Sequence, residues 1–192
     1  MKNIIWLTLR FPYPPHSGTD IRIFNLLKRV SHQYHIHLIS FAWPDTTKTH
    51  IKHMNPYCKT INIIQHPFKF SIAMWLANFF ISKPYKISQF SNHQMQKKIQ
   101  MVANNYPIDL VLVDHLFLFN YTKISPLKRT PTIITAHNVE SDMIKRYFDS
   151  GNFAGKIYGW SQYKKLKVYE KYVFNAVTRI VSVSEEDKER II

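Results

Sequence analysis

Arg10-Phe11-Pro12-Tyr13-Pro14-Pro15-His16-Ser17-Gly18-Thr19-Asp20 joins the first apolar run of the chain to its first helical pattern. Ahead of it, Ile4-Ile5-Trp6-Leu7-Thr8-Leu9 is short, β-branched and aromatic, and reads as a buried strand. Behind it, Ile23, Phe24, Leu27 and Val30 recur at helical spacing. The three prolines cannot continue a sheet and they stiffen the connection. Ser17 or Thr19 can cap the helix, and Asp20 suits its positive end. Gly18 has no Cβ, so a ligand can approach the backbone there. Strand, rigid loop and helix N-terminus together suit an anion such as a diphosphate. The alternative is a βα connection that only turns the chain.

Outward from this stretch the pattern repeats. A helix is expected over 19–32, a strand over 35–41, a short helix within 46–53 and a strand over 60–64. Further strands are expected at 109–114, 131–136 and 179–183. The run Asp109-Leu110-Val111-Leu112-Val113-Asp114 is almost wholly apolar inside and belongs at the centre of the sheet. Helices are expected over 91–104, from 137 to a break at Ser150-Gly151, and from 153 onward. On this last helix Lys156, Lys164, Lys165, Lys167 and Lys171 lie opposite an apolar face. Ser184 caps a final helix with acids in its first turn. The alternation predicts an α/β fold: one Rossmann-like domain over 1–192, with a mostly parallel sheet flanked by helices.

Residues 68–104 break the rhythm and read as an aromatic and basic helical insertion. Phe70, Ile72, Met74, Trp75, Leu76, Phe79, Phe80 and Ile81 crowd together, bracketed by Lys69, Lys83 and Lys86. The run is shorter than the roughly 20 residues a bilayer span needs. It reads either as the core helix of an insertion or as a helix lying in a membrane interface, with Trp75, Phe79 and Phe80 as contacts. The formal charge of +14 suits an anionic partner, whether phospholipid, nucleic acid or a phosphorylated substrate, the alternative being a basic protein that is simply soluble.

Other chemistries find little support. The four glycines, at 18, 151, 155 and 159, form no Gly-x-Gly-x-x-Gly fingerprint. Cys58 is the single cysteine, so no internal disulfide or cysteine metal cluster can form, and a reducing compartment fits. The first apolar run is too short for a secretory signal. His35 and His37 share a strand face as a ligand pair might, but no nearby acid or cysteine completes a set, and solvent-facing histidines are expected. No serine sits in a Gly-x-Ser-x-Gly elbow. Nucleic-acid binding lacks a motif, and the lysines are spread over several elements.

In an open parallel sheet ligands bind beyond the carboxyl ends of the strands, where strand order switches. With the order 3-2-1-4-5, the proline-rich loop, Asp114-His115 and His137-Asn138 share one rim. A span on the order of 10 Å from Gly18 to His137 suits a sugar joined to a diphosphate.

Phe11-Pro12-Tyr13-Pro14-Pro15-x-x-Gly18-x-x-x-Arg22, the strand closing in Ser40-Phe41, His137-Asn138-Val139-Glu140 and Val181-Ser182-Val183-Ser184-Glu185 resemble the N-terminal, acceptor-side domain of glycosyltransferase family 4, one half of a GT-B enzyme. The resemblance implies a retaining hexosyltransferase-like enzyme that uses a nucleotide-sugar donor and no metal or other cofactor. It implies a lipid-linked or cell-surface glycan acceptor at the cytoplasmic membrane face. Ser17-Gly18 takes the place of the glycine loop near the donor diphosphate, often Gly-Gly in the family. His137 matches the histidine that faces the transferred sugar. Arg22, Asp114, His115, Asn138 and Glu140 fall in or beside the shared motifs as donor or acceptor contacts, the last two without an assigned role. The donor-binding domain with its paired glutamates has no counterpart here, so an isolated half that transfers little or no sugar is expected. The competing expectation is a non-catalytic, basic membrane-binding module.

Overall fold

A computed structural model describes residues 1–65, 72–149 and 153–191. The start of the aromatic segment at Phe68 to Ser71, the side chain of Met74 and the helix break at Ser150-Gly151 lie outside what is described. Six strands form one sheet in the order β3-β2-β1-β4-β5-β6. They are β1 (Lys2–Thr8), β2 (Tyr34–Ala42), β3 (Thr60–Gln65), β4 (Ile108–Val113), β5 (Thr132–Ala136) and β6 (Arg179–Ser182), and every pairing is parallel. The chain steps outward from β1 to β3, then returns to the other side of β1. That reversal makes the β1/β4 boundary the switch point.

The alternation of β1 side chains builds two cores. Ile5 and Leu7 pack with Ile39, Phe41, Val111 and Val113 on one face. Helices α5 (His93–Asn105) and α7 (Phe153–Ala176) cover that face through Met95, Ile99, Val102, Leu166 and Val173. The end of the segment read as an insertion is therefore a core crossover helix. Ile4 and Trp6 point the other way, onto Ile23 and Leu27 of α1 (Gly18–Val30) and Met54 of α2 (Lys48–Met54). On this second face β4 is less covered than its apolar run suggested: Leu110 and Leu112 are half-buried, and Val181 of β6 is exposed.

The remaining helices are α3 (Ile72–Ala77), α4 (Tyr85–Gln89), α6 (Glu140–Asp149) and α8 (Glu185–Ile191). The aromatic segment is not one helix: α3 gives way to a 3-10 turn at Asn78–Phe80. Ser184 caps α8, its Oγ accepting from the Asp187 N–H at 3.1 Å.

The expectation of solvent-facing strand histidines fails at His37, which is fully buried. Its Nδ1 lies 2.9 Å from Thr60 Oγ1 and its Nε2 3.4 Å from Asn3 Oδ1, with Tyr106 against the ring at 4.4 Å. Flanking strands supply the partners, which a single strand's alternation does not display. Among the described residues no group of three or more His, Cys, Asp or Glu side chains is placed to hold a metal ion.

Candidate functional site at the switch point

The loop after β1 is locked before α1 begins. Phe11 is buried in the second core. Arg10 pairs with Asp45 at 2.9 Å and lies over the Trp43 ring at 4.9 Å, tying the loops after β1 and β2 together. Ser17 is the N-cap: its Oγ accepts from the Asp20 N–H at 3.1 Å, and the Ser17 N–H donates to Asp20 Oδ2 at 3.2 Å. This reciprocal capping box satisfies two of the helix's orphan groups. Asp20 is only 2% exposed, so a carboxylate already occupies the positive end of α1. Any anion meeting this terminus is therefore left with the backbone donors of Gly18 and Thr19.

Gly18 is exposed, and a Cβ built there meets nothing within 4 Å. Neither backbone conformation nor packing inside this chain demands glycine at this position, which leaves open space in front of the helix. Arg22 is half-buried and forms no ion pair among the described residues.

Next along the rim, the Asp114 N–H donates to the Leu7 carbonyl at 2.9 Å, continuing the β1/β4 ladder into the loop. Asp114 is 4% exposed, and its Oδ1 lies 3.3 Å from Nε2 of His137, itself 9% exposed. A second pair runs parallel to it: His115 Nε2 to Glu140 Oε1 at 3.1 Å. The Phe117 N–H points at His115 Nδ1 at 3.5 Å, which places the ring proton on the Nε2 that meets Glu140. One imidazole–carboxylate pair thus joins the end of β4 to the end of β5, and the other joins the loop after β4 to the start of α6. Asn138, between them, is exposed.

One further participant, Glu170 of α7, was not singled out from the sequence. It is 4% exposed, and its Oε1 accepts from the Ser141 N–H at 3.2 Å, capping α6 from below. Burial pushes its carboxyl pKa up, against the hydrogen bonds from the Ser141 and Glu140 backbone. A lone acid in a stretch of lysines and aromatics was the only visible signal. A cavity of about 650 Å³ opens beside it, with Lys167, Lys171 and Arg190 among its lining residues. Gly18 and His137 are not among them.

No protein-family model and no curated protein matches the sequence. Solved structures do. Sucrose-phosphate synthase from Thermosynechococcus elongatus superposes with a TM-score of 0.62 at 12% identity, over 100% of this chain and 44% of that one. Medicago truncatula UGT71G1 complexed with UDP-glucose gives 0.56 at 13% identity, over 99% of this chain and 48% of that one. The fold is one half of the GT-B architecture. At these identities the likeness is one of fold, and the chain spans less than half the length of either neighbour.

In this half-domain the residues expected at the membrane lie on α3 and the turn after it, which hydrogen bonds tie to α7. Trp75 is half-buried, its ring 4.3 Å from that of Tyr158. Phe79 and Phe80 are 45% and 89% exposed. No helix among the described residues is long and apolar enough to cross a membrane.

Proposed function

We propose that this chain is the acceptor-side half of a retaining, family 4-type glycosyltransferase, which moves a sugar from a nucleotide-sugar donor to a glycan or lipid-linked acceptor at the cytoplasmic membrane face. The observation that carries this reading is the meeting of His137 with Asp114 beside the β1/β4 switch point, on the same strand ends as the open Gly18 loop. The fold likeness to glycosyltransferases, one of them complexed with UDP-glucose, supports it.

In this account the N–H groups of Gly18 and Thr19 meet the donor diphosphate, and His137 meets the sugar. A carboxylate only accepts, so Asp114 holds the His137 proton on Nε2 and leaves Nδ1 to accept from a sugar hydroxyl. Both rim carboxylates are engaged by imidazoles, Asp114 by His137 and Glu140 by His115. That favours groups that orient and stabilise over a protein nucleophile, as retention without a covalent intermediate requires. No metal takes part. On this proposal a second Rossmann-like body, holding the nucleotide, completes the crevice, and the 192 residues by themselves are expected to transfer little or no sugar.

Sugar transfer by the chain joined to its donor-binding half tests this. His137→Ala should lower kcat/KM by about 100-fold, the loss of a hydrogen bond in a desolvated site. Undiminished transfer by that variant, or turnover by the 192-residue chain alone, refutes the corresponding part of the account.

A further inference from the structure

The turn after α3 displays apolar rings outward, and a buried polar staple holds it there. Asn78 is 2% exposed and Gln162 of α7 is 4% exposed. Gln162 Nε2 donates to Asn78 Oδ1 at 2.8 Å, Asn78 Nδ2 donates to the Lys83 carbonyl at 2.9 Å, and the Tyr85 N–H donates to Gln162 Oε1 at 2.9 Å. From α7, Lys165 Nζ adds bonds to the carbonyls of Asn78 at 2.6 Å and Phe79 at 3.2 Å. Burying two amides is tolerable because the oxygen and the nitrogen of each find a partner, and the matching holds the turn in place. What the staple presents is Phe79, Phe80 and Ile81, exposed by 45%, 89% and 49%. A stable fold alone gives no reason to hold Phe80 in water.

The neighbouring surface continues the pattern. On α7, Ile157, Trp160, Val168 and Tyr172 stand exposed at helical spacing, with Lys164 Nζ 3.9 Å over the Trp160 ring. Val168 and Tyr172 share a cavity of about 340 Å³ with Lys83 and Lys165, which joins the stripe to the tip. The charge is of one sign. From 72 to 105 the chain carries four lysines and no Asp or Glu, and from 153 to 169 again four lysines and no acid. Partial burial lowers the pKa of both Lys83 and Lys165, a cost that a phosphate beside them would offset.

We infer that the Phe79–Phe80 tip with its lysine collar inserts into the interface of an anionic phospholipid bilayer. Aromatic rings take up the headgroup–acyl boundary while ammonium groups meet lipid phosphates. A nucleic acid would leave Ile72, Leu76 and Ile81 unrewarded. A second copy would set like-charged surfaces against each other. Trp75, turned onto Tyr158, supports the platform from within.

Cosedimentation with vesicles tests the inference and needs no sugar donor, so it stands apart from the transfer reading. The chain should bind phosphatidylcholine vesicles containing about one-third phosphatidylglycerol, far less those of phosphatidylcholine alone, and raised salt should weaken binding. Phe79→Ser with Phe80→Ser should lower partitioning by about 100-fold, roughly tenfold for each ring, with an unchanged melting temperature. Lys83→Glu with Lys164→Glu should abolish the preference for anionic lipid. Leu26→Ser, exposed on α1 across the sheet, should bind like wild type. Three results each overturn the inference: no binding to anionic vesicles, binding untouched by the double serine variant, or a wild-type self-association that the variant removes.

Discussion

Acidification should loosen the sheet through His37. Its Nε2 faces Asn3 Oδ1, whose amide orientation is set by Asn3 Nδ2 donating to the Pro107 carbonyl at 3.0 Å. Nε2 therefore carries the proton, and Nδ1 accepts from the Thr60 hydroxyl. Burial, helped by the nearby positive charges of His35 and Lys59, lowers the His37 pKa from 6.5 to about 4. The unfolded chain binds a proton near pH 6.5 that the folded chain refuses. The stability this neutral histidine contributes is thus complete above pH 6.5 and lost as pH falls towards 4. For such a shift the loss between pH 7.5 and 4.5 is about 2.5 kcal/mol. Other groups titrate in the same window, so the informative quantity is a difference. His37→Gln keeps a donor and an acceptor but does not titrate. Urea unfolding of both proteins at the two pH values should show wild type losing about 2.5 kcal/mol more than the variant. Parallel losses would refute the neutral, buried assignment.

Three further outcomes follow from the packing. Ile99→Ala on α5 should cost about 2–5 kcal/mol in urea unfolding, as for any fully buried core residue, whereas a peripheral insertion would yield under 1 kcal/mol. Gly18→Ala should leave the melting temperature unchanged or slightly raised, because its Cβ enters open space, while, on the proposed function, weakening sugar-nucleotide binding. Glu170→Gln keeps an oxygen for the Ser141 N–H and removes a charge whose burial raises its pKa. It should raise the melting temperature at pH 7.5, and the advantage should shrink on acidification as the wild-type carboxyl protonates.

The strands were legible as short apolar or alternating runs, five of the six closed soon after by proline, aspartate or histidine, and the strand order assumed for such a sheet is the one observed. That order sufficed to bring His137 beside Asp114, two adjacent strand ends whose pairing needs no side-chain detail. The His115–Glu140 pair was harder to foresee. It depends on α6 starting at Glu140, three residues after the strand-end histidine. Glu170 and His37 were missed for a shared reason: each is satisfied by groups distant in sequence, Ser141 for one, Asn3 and Thr60 for the other. Residues 93–104 fell within the stretch read as an insertion because the crowded aromatics ahead of them break the strand–helix rhythm. The three apolar side chains that face the sheet, Met95, Ile99 and Val102, decide otherwise.

The proposal that the Gly18 loop and His137 border one crevice is tested most directly by amide chemical shifts of the 15N-labelled chain titrated with uridine, guanosine and adenosine diphosphate sugars. With one of them, Gly18, Thr19 and Asn138 should move together along a single weak, saturable isotherm. Shifts confined to Lys167, Lys171 and Arg190, or movement of Gly18 without Asn138, would contradict a site that spans the switch point.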